Sequence, residues 1–144
     1  MKPVPLEMTP FNELMPRVSP DSRHLVFVSD ASGSYEVYLR PFPGPGPTIQ
    51  VSTDGGTDPF WKGDGRELYY RTRDGHIMAV SIPPGASFSP GVPKPLFGTT
   101  FAAIVSRSLY RPTADGQRFL VLAPVGREAL PPTTVVLNWS AAPR

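Results

Sequence analysis

Three segments of the 144-residue chain repeat one pattern: SPDSRHLVFVS from Ser19, KGDGRELYYR from Lys62 and TADGQRFLVL from Thr113. A recurring period constrains a fold strongly, because each repeat is then one structural unit that buries its apolar face against the next. The aspartates of the three turns, Asp21, Asp64 and Asp115, stand 43 and 51 residues apart, and the longer interval holds a proline-rich stretch, PPGASFSPGVP, at 83–93. At each turn the aspartate can accept a hydrogen bond from the backbone N–H two residues on, and Gly65 or Gly116 can take a positive φ at no steric cost. The first repeat has Ser22 in the glycine position. A left-handed serine costs about 1 to 2 kcal/mol, so a type I turn without positive φ is expected there.

After each turn the apolar residues fall on both parities: Leu25, Val26, Phe27 and Val28; Leu68, Tyr69 and Tyr70; Phe119, Leu120, Val121 and Leu122. Such strands are buried on both faces. A third strand is expected in each repeat at YEVYLRPF, HIMAVSI and TTVVLNW, after hairpin turns at ASGS (31–34) and Asp74-Gly75 in the first two. Fourth strands fit TIQVS and KPLF, and short first strands fit MPRVS, DPFWK and LYRPT. A period near 43 with four strands is that of a β-propeller blade. The expected class is therefore all-β, about three four-stranded antiparallel blades with little helix: blade 1 at 15–52, blade 2 at 58–97 and blade 3 at 107–140.

The first repeat resembles the blade signature of TolB-like, WD-repeat-like propellers: Ser19, Pro20, Asp21 and Arg23, then Val28, Ser29, Asp30 and Gly33, then Val37 and Tyr38. Ser22, Gly63 and Ala114 depart from it, each at a turn. TPFNE at 9–13, YEVYLRPFPGPG at 35–46, VSTDGGTDPFW at 51–61 and VVLNW at 135–139 resemble the propeller that follows the kinase domain in some bacterial serine/threonine kinases. That resemblance implies a sensor portion and no enzyme, since the glycine-rich loop, strand lysine, catalytic loop and DFG motif of kinases are missing from the sequence.

Strand counting implies half of a six-bladed ring. Residues 3–14 supply a spare fourth strand (PVPLEM) and a linker, whereas after Trp139 only SAAPR follows, too short for the fourth strand of blade 3. Rings have about four to eight blades, so three are expected to close by pairing with a second copy, each copy's N-terminal strand completing the other's last blade. The alternative is a segment of a longer protein.

Charge and motifs narrow the function. Fourteen basic and twelve acidic residues are scattered, and Arg71 and Arg73 have Glu67 and Asp74 beside them, so no basic stripe for nucleic acid is expected. No run is apolar enough to span a membrane, and the N-terminus lacks a signal-like stretch, which points to a cytoplasmic chain as written, or an extracytoplasmic one if it belongs to a membrane-anchored kinase. Asp21, Asp64 and Asp115 recur once per repeat, which suits turns and not a metal; no metal, cofactor or catalytic residue is expected. Ser52-Thr53-Asp54-Gly55-Gly56 resembles the start of a sialidase Asp-box, but Pro59 stands where an aromatic belongs, so it reads as a turn between blades. His24 and His76 sit beside strand starts, and no G-x-S-x-G elbow accompanies them. Phe60, Trp61, Tyr69, Tyr70 and Trp139 are candidates either for stacking a ligand or for filling the space between blades. The proline-rich loops at 41–47 and 83–93 read as stiffened turns. Together these features imply a non-catalytic module that binds or senses protein or peptide ligands. A detached kinase sensor and a hydrolase-associated propeller are the alternatives.

Overall fold

The structure is a computed structural model that describes residues 9–84, 89–99 and 108–122, and the backbone of 133–137. The expected spare strand at 3–8 and Trp139 lie outside the described residues, as does whatever follows the last described strand.

Eleven strands and no helix occur among the described residues. The first sheet is a meander of β1 (Glu13–Val18), β2 (His24–Ser29), β3 (Glu36–Pro41) and β4 (Ile49–Gln50). The second repeats it with β5 (Thr57–Trp61), β6 (Glu67–Arg71), β7 (His76–Ser81) and β8 (Lys94–Gly98). The third contains β9 (Tyr110–Pro112), β10 (Arg118–Leu122) and β11 (Thr133–Leu137). All pairings are antiparallel between chain neighbours, the arrangement that short turns and alternating apolar residues produce.

The repeated turn has one geometry in all three sheets. Ser22 N donates to Ser19 O at 2.8 Å, Gly65 N to Lys62 O at 2.9 Å and Gly116 N to Thr113 O at 2.9 Å. The turn aspartate then accepts from the N–H two residues on, Asp21 from Arg23 at 3.1 Å, Asp64 from Arg66 at 2.9 Å and Asp115 from Gln117 at 3.0 Å. The expectation for Ser22 is corrected: its φ is +59°, in the left-handed region with Gly65 and Gly116, both at +69°. Ser19 pairs with His24, so the hairpin loop holds four residues, 20–23; a left-handed residue after its β-turn lets the chain return to the ladder, and this demand overrides the cost to a serine. Ser19 offsets it, because its hydroxyl donates to Asp21 at 2.6 Å and accepts from His24 N at 2.9 Å.

The first strands carry an irregularity of their own. Met15 and Pro16 together oppose Phe27, and Asp58 and Pro59 together oppose Tyr70, so each strand bulges by one residue. Met15 (φ +52°) and Asp58 (φ +58°) are both left-handed. Beyond the bulges the registers agree: Arg17 pairs with Val26, Phe60 with Tyr69 and Arg111 with Leu120. Positions 17, 60 and 111 are therefore equivalent.

Two apolar layers join the sheets. Between the first and second lie Val26, Val28, Val37, Leu39, Leu68, Tyr70 and Val80. Between the second and third lie Phe60, Tyr69, Ile77, Ala79, Tyr110, Phe119 and Val121. β2 and β6 are thus buried on both faces, as their unbroken apolar runs require. β10 alternates: Phe119 and Val121 are buried, but Leu120 and Leu122 are 46% and 50% exposed. Arg71 is fully buried on β6.

Candidate functional site

The connection from the first sheet to the second, Ser52 to Gly56, is tied down by a buried carboxylate. Glu36, 1% exposed at the start of β3, accepts from Gly55 N at 2.8 Å, from Ser34 Oγ at 3.2 Å and from Ser52 Oγ. Ser52 Oγ accepts in turn from Val37 N at 2.8 Å, and Gly56 N donates to Tyr35 O at 2.9 Å. A buried carboxylate is tolerated where donors surround it, and this set fixes the loop. Gly55 is left-handed at φ +86°, and a Cβ on Gly56 would lie 2.2 Å from Ser52 Oγ.

The fixed loop forms one wall of a cleft of about 460 Å³, lined by Ser34, Tyr35, Asp54, Thr57 and Arg73 among others. It opens at the end of the sheets that carries the β2–β3 loop, the β4–β5 connection and the β6–β7 turn. Arg73 is exposed and also borders a neighbouring depression with Asp54, Thr72, Asp74 and His76. There the Thr72 hydroxyl and His76 Nδ1, 3.0 Å from Asp74 Oδ2, hold the Asp74 carboxyl below its usual range. Thr57 is 4% exposed, and its Oγ1 is buried with no hydrogen-bond partner among the described residues.

A second polar group joins the first strands of the sheets. Asp58, fully buried on β5, accepts from Ser108 Oγ at 2.6 Å and Leu109 N at 3.1 Å, while its backbone carbonyl accepts from Tyr110 Oη at 2.9 Å. Burial raises the Asp58 carboxyl above its ordinary value, against the pull of those two donors and of Arg17 and Arg71. The same burial lowers both arginines, with Asp58 opposing it. Arg17 lies with its guanidinium carbon 3.9 Å from the centre of the Phe60 ring, and Arg111 with its own at 5.2 Å.

The residues singled out in the sequence are distributed as follows. Asp21, Asp64, Gly65, Asp115 and Gly116 all sit in the repeated turns, at the opposite end of the sheets from the cleft. Phe60 and Tyr69 lie between the second and third sheets, and Tyr70 between the first and second. Trp61 packs against the layer between the first and second sheets and donates from Nε1 to Arg17 O at 3.1 Å. The four aromatics are therefore divided between two layers and form no common platform. Glu36, Thr57, Asp58 and Arg17 escape a reading by residue type, because polar and charged side chains are expected outside. The recurrence of Met15-Pro16 as Asp58-Pro59, at the same spacing of 43, was the available signal.

Among family models none matches this chain, and no curated protein matches it either. Solved structures do. An oligogalacturonate lyase from Vibrio parahaemolyticus aligns with a TM-score of 0.54 and 15% identity, over 81% of this chain and 31% of that one. TolB from Acinetobacter baumannii aligns with a TM-score of 0.55 and 21% identity, over 89% of this chain and 30% of that one. The chain thus spans under a third of the length of either. At these identities the likeness speaks for architecture alone, and with the three consecutive meanders it shows a TolB-like β-propeller fold.

Proposed function

We propose that this chain is a non-catalytic binding module for protein or peptide ligands, which are received at the rim that carries the cleft. The observation that supports it best is the cleft itself. A guanidinium (Arg73), a carboxylate (Asp54) and hydroxyls stand around a concave, loop-built surface on a rigid sheet scaffold, which suits recognition by charge and hydrogen bonds. The test is a peptide array probed with the whole chain and with Arg73→Ala, alongside peptide and glycoside hydrolysis screens. A set of peptides bound by the parent and lost by the variant is the expected result. An array without binding, or turnover of any substrate, overturns the reading.

Segments 9–13, 35–46 and 51–61 favour a sensor that reports occupancy to a kinase, as their resemblance implies. A kinase domain encoded in the same gene or beside it would support this, and its absence there would count against it. Self-association is favoured by a separate observation. Leu120 is exposed at the position whose equivalents, Val26 and Tyr69, are buried against the next sheet. A second copy covering this face would bury it, and native mass spectrometry giving only monomer would exclude that arrangement.

A further inference from the structure

We propose that Arg17 and Arg111, brought together on either side of the Phe60 position, form a clamp for a carboxylate of an acidic peptide, at a site apart from the rim cleft. Equivalent register places these residues in one row across β1, β5 and β9. Both guanidiniums meet the same ring, at 3.9 and 5.2 Å from its centre, a contact that holds a planar fork in a fixed plane. Phe60 is 6% exposed whereas Arg111 is exposed, so the ring serves as a buried floor and the row opens to solvent through Arg111.

Charge gives the site its ligand. Two cations gathered at one ring repel, and Arg111 accordingly lowers the Arg17 value. Asp58 is the carboxylate that opposes this, but it is shared with Arg71 and already accepts from Ser108 and Leu109. Arg17 Nε is buried and has no hydrogen-bond partner among the described residues. An added carboxylate would relieve the repulsion and accept the paired N–H bonds that guanidinium offers. Two arginines in a row, without the stripe of basic residues that follows a phosphate backbone, suit an acidic side chain better than a nucleic acid. The inference rests on the reading of the chain as a peptide-binding module.

Fluorescence anisotropy with labelled hexaglutamate tests it, with hexaglutamine and a six-nucleotide oligothymidine as controls. Arg111→Glu, at an exposed position, removes one arm, and Arg17→Lys keeps the charge but loses the planar stack. Hexaglutamate should bind at least about tenfold more tightly than hexaglutamine, and each variant should lose about tenfold or more, the exposed Arg111→Glu while keeping the parent's urea midpoint. Hexaglutamate binding unchanged in Arg111→Glu, or matched by hexaglutamine or the oligonucleotide, overturns the clamp. If neutral peptides bind and only Arg73→Ala abolishes them, the clamp fails while the rim reading stands; if no peptide binds at all, both fail.

Discussion

Replacing each left-handed residue of the repeated turns by one that changes its Cβ tests whether the turns are equivalent in energy as well as in shape. At Gly65 an added Cβ meets nothing nearer than Pro20 Cδ at 3.5 Å. Gly65→Ala therefore carries the left-handed cost of about 1 to 2 kcal/mol, less about 0.5 kcal/mol returned by the stiffer unfolded chain, a net loss near 1 kcal/mol. At Gly116 the same Cβ would stand 2.3 Å from Tyr69 Oη. That hydroxyl donates to Glu67 Oε2 at 2.7 Å, and its ring is fully buried, edge-on to Phe119 at 5.1 Å. Moving the hydroxyl breaks the hydrogen bond and disturbs the ring, adding about 1 to 3 kcal/mol, so Gly116→Ala should cost about 2 to 4 kcal/mol in all. Ser22→Gly should run the other way and stabilise by about 0.5 kcal/mol. Urea denaturation of the three variants and the parent measures the differences, and Tyr69→Phe supplies the decisive background. Without the hydroxyl, the cost of Gly116→Ala should fall to that of Gly65→Ala. Equal costs at the two glycines in the parent, or an excess at Gly116 that persists in Tyr69→Phe, would refute the reasoning.

Phe119→Ala empties a fully buried site that meets Tyr69 and Phe97 edge-on, and should cost about 3 to 5 kcal/mol in the same urea assay. Asp58 binds its proton more tightly in the fold than in the unfolded chain, because burial raises its carboxyl above the ordinary 3.8. Its contribution is therefore greatest below that value and declines as pH rises through the raised one, so the stability of Asp58→Asn relative to the parent should increase with pH over that interval; parallel profiles would contradict this. Asp21, Asp74 and Asp115 have the opposite sign, since neighbouring hydroxyls lower their values. Their contribution is present above the ordinary value and lost as pH falls through the lowered ones, so Asp115→Asn should flatten the acid limb of the stability profile. Leu120→Asp with Leu122→Asp should abolish any dimer seen by native mass spectrometry and leave the urea midpoint of the monomer nearly unchanged, as both side chains are about half exposed.

The meander order was readable because local chemistry carries it. A turn aspartate, a glycine after it and an apolar run behind them specify a hairpin without reference to the rest of the chain, and the registers follow from the turns. What local chemistry does not carry is the demand one element makes on another. Ser22 takes a glycine's conformation because the loop must rejoin its ladder, and Ser19 supplies the hydrogen bonds that make this tolerable. Asp58 and Arg71 are inside because residues 108–110, about fifty positions later, bring the donors that surround the carboxylate. Glu36 likewise meets its donors at Ser52 and Gly55, across the length of β3 and β4. The rim cleft depends on these long-range bonds, so little of it is visible in residue order, whereas the turns and blade strands are.

The first strands of all three sheets contain proline: Pro16 within the bulge of β1, Pro59 within that of β5, and Pro112 at the end of β9. Among the described residues each of these strands pairs on one side only. Proline offers no N–H, and a bulge twists its neighbours out of line, so these edges cannot be extended by an incoming strand. A partner that approaches the sheets from this side is thus denied recognition through main-chain pairing, and must be distinguished by what its side chains present.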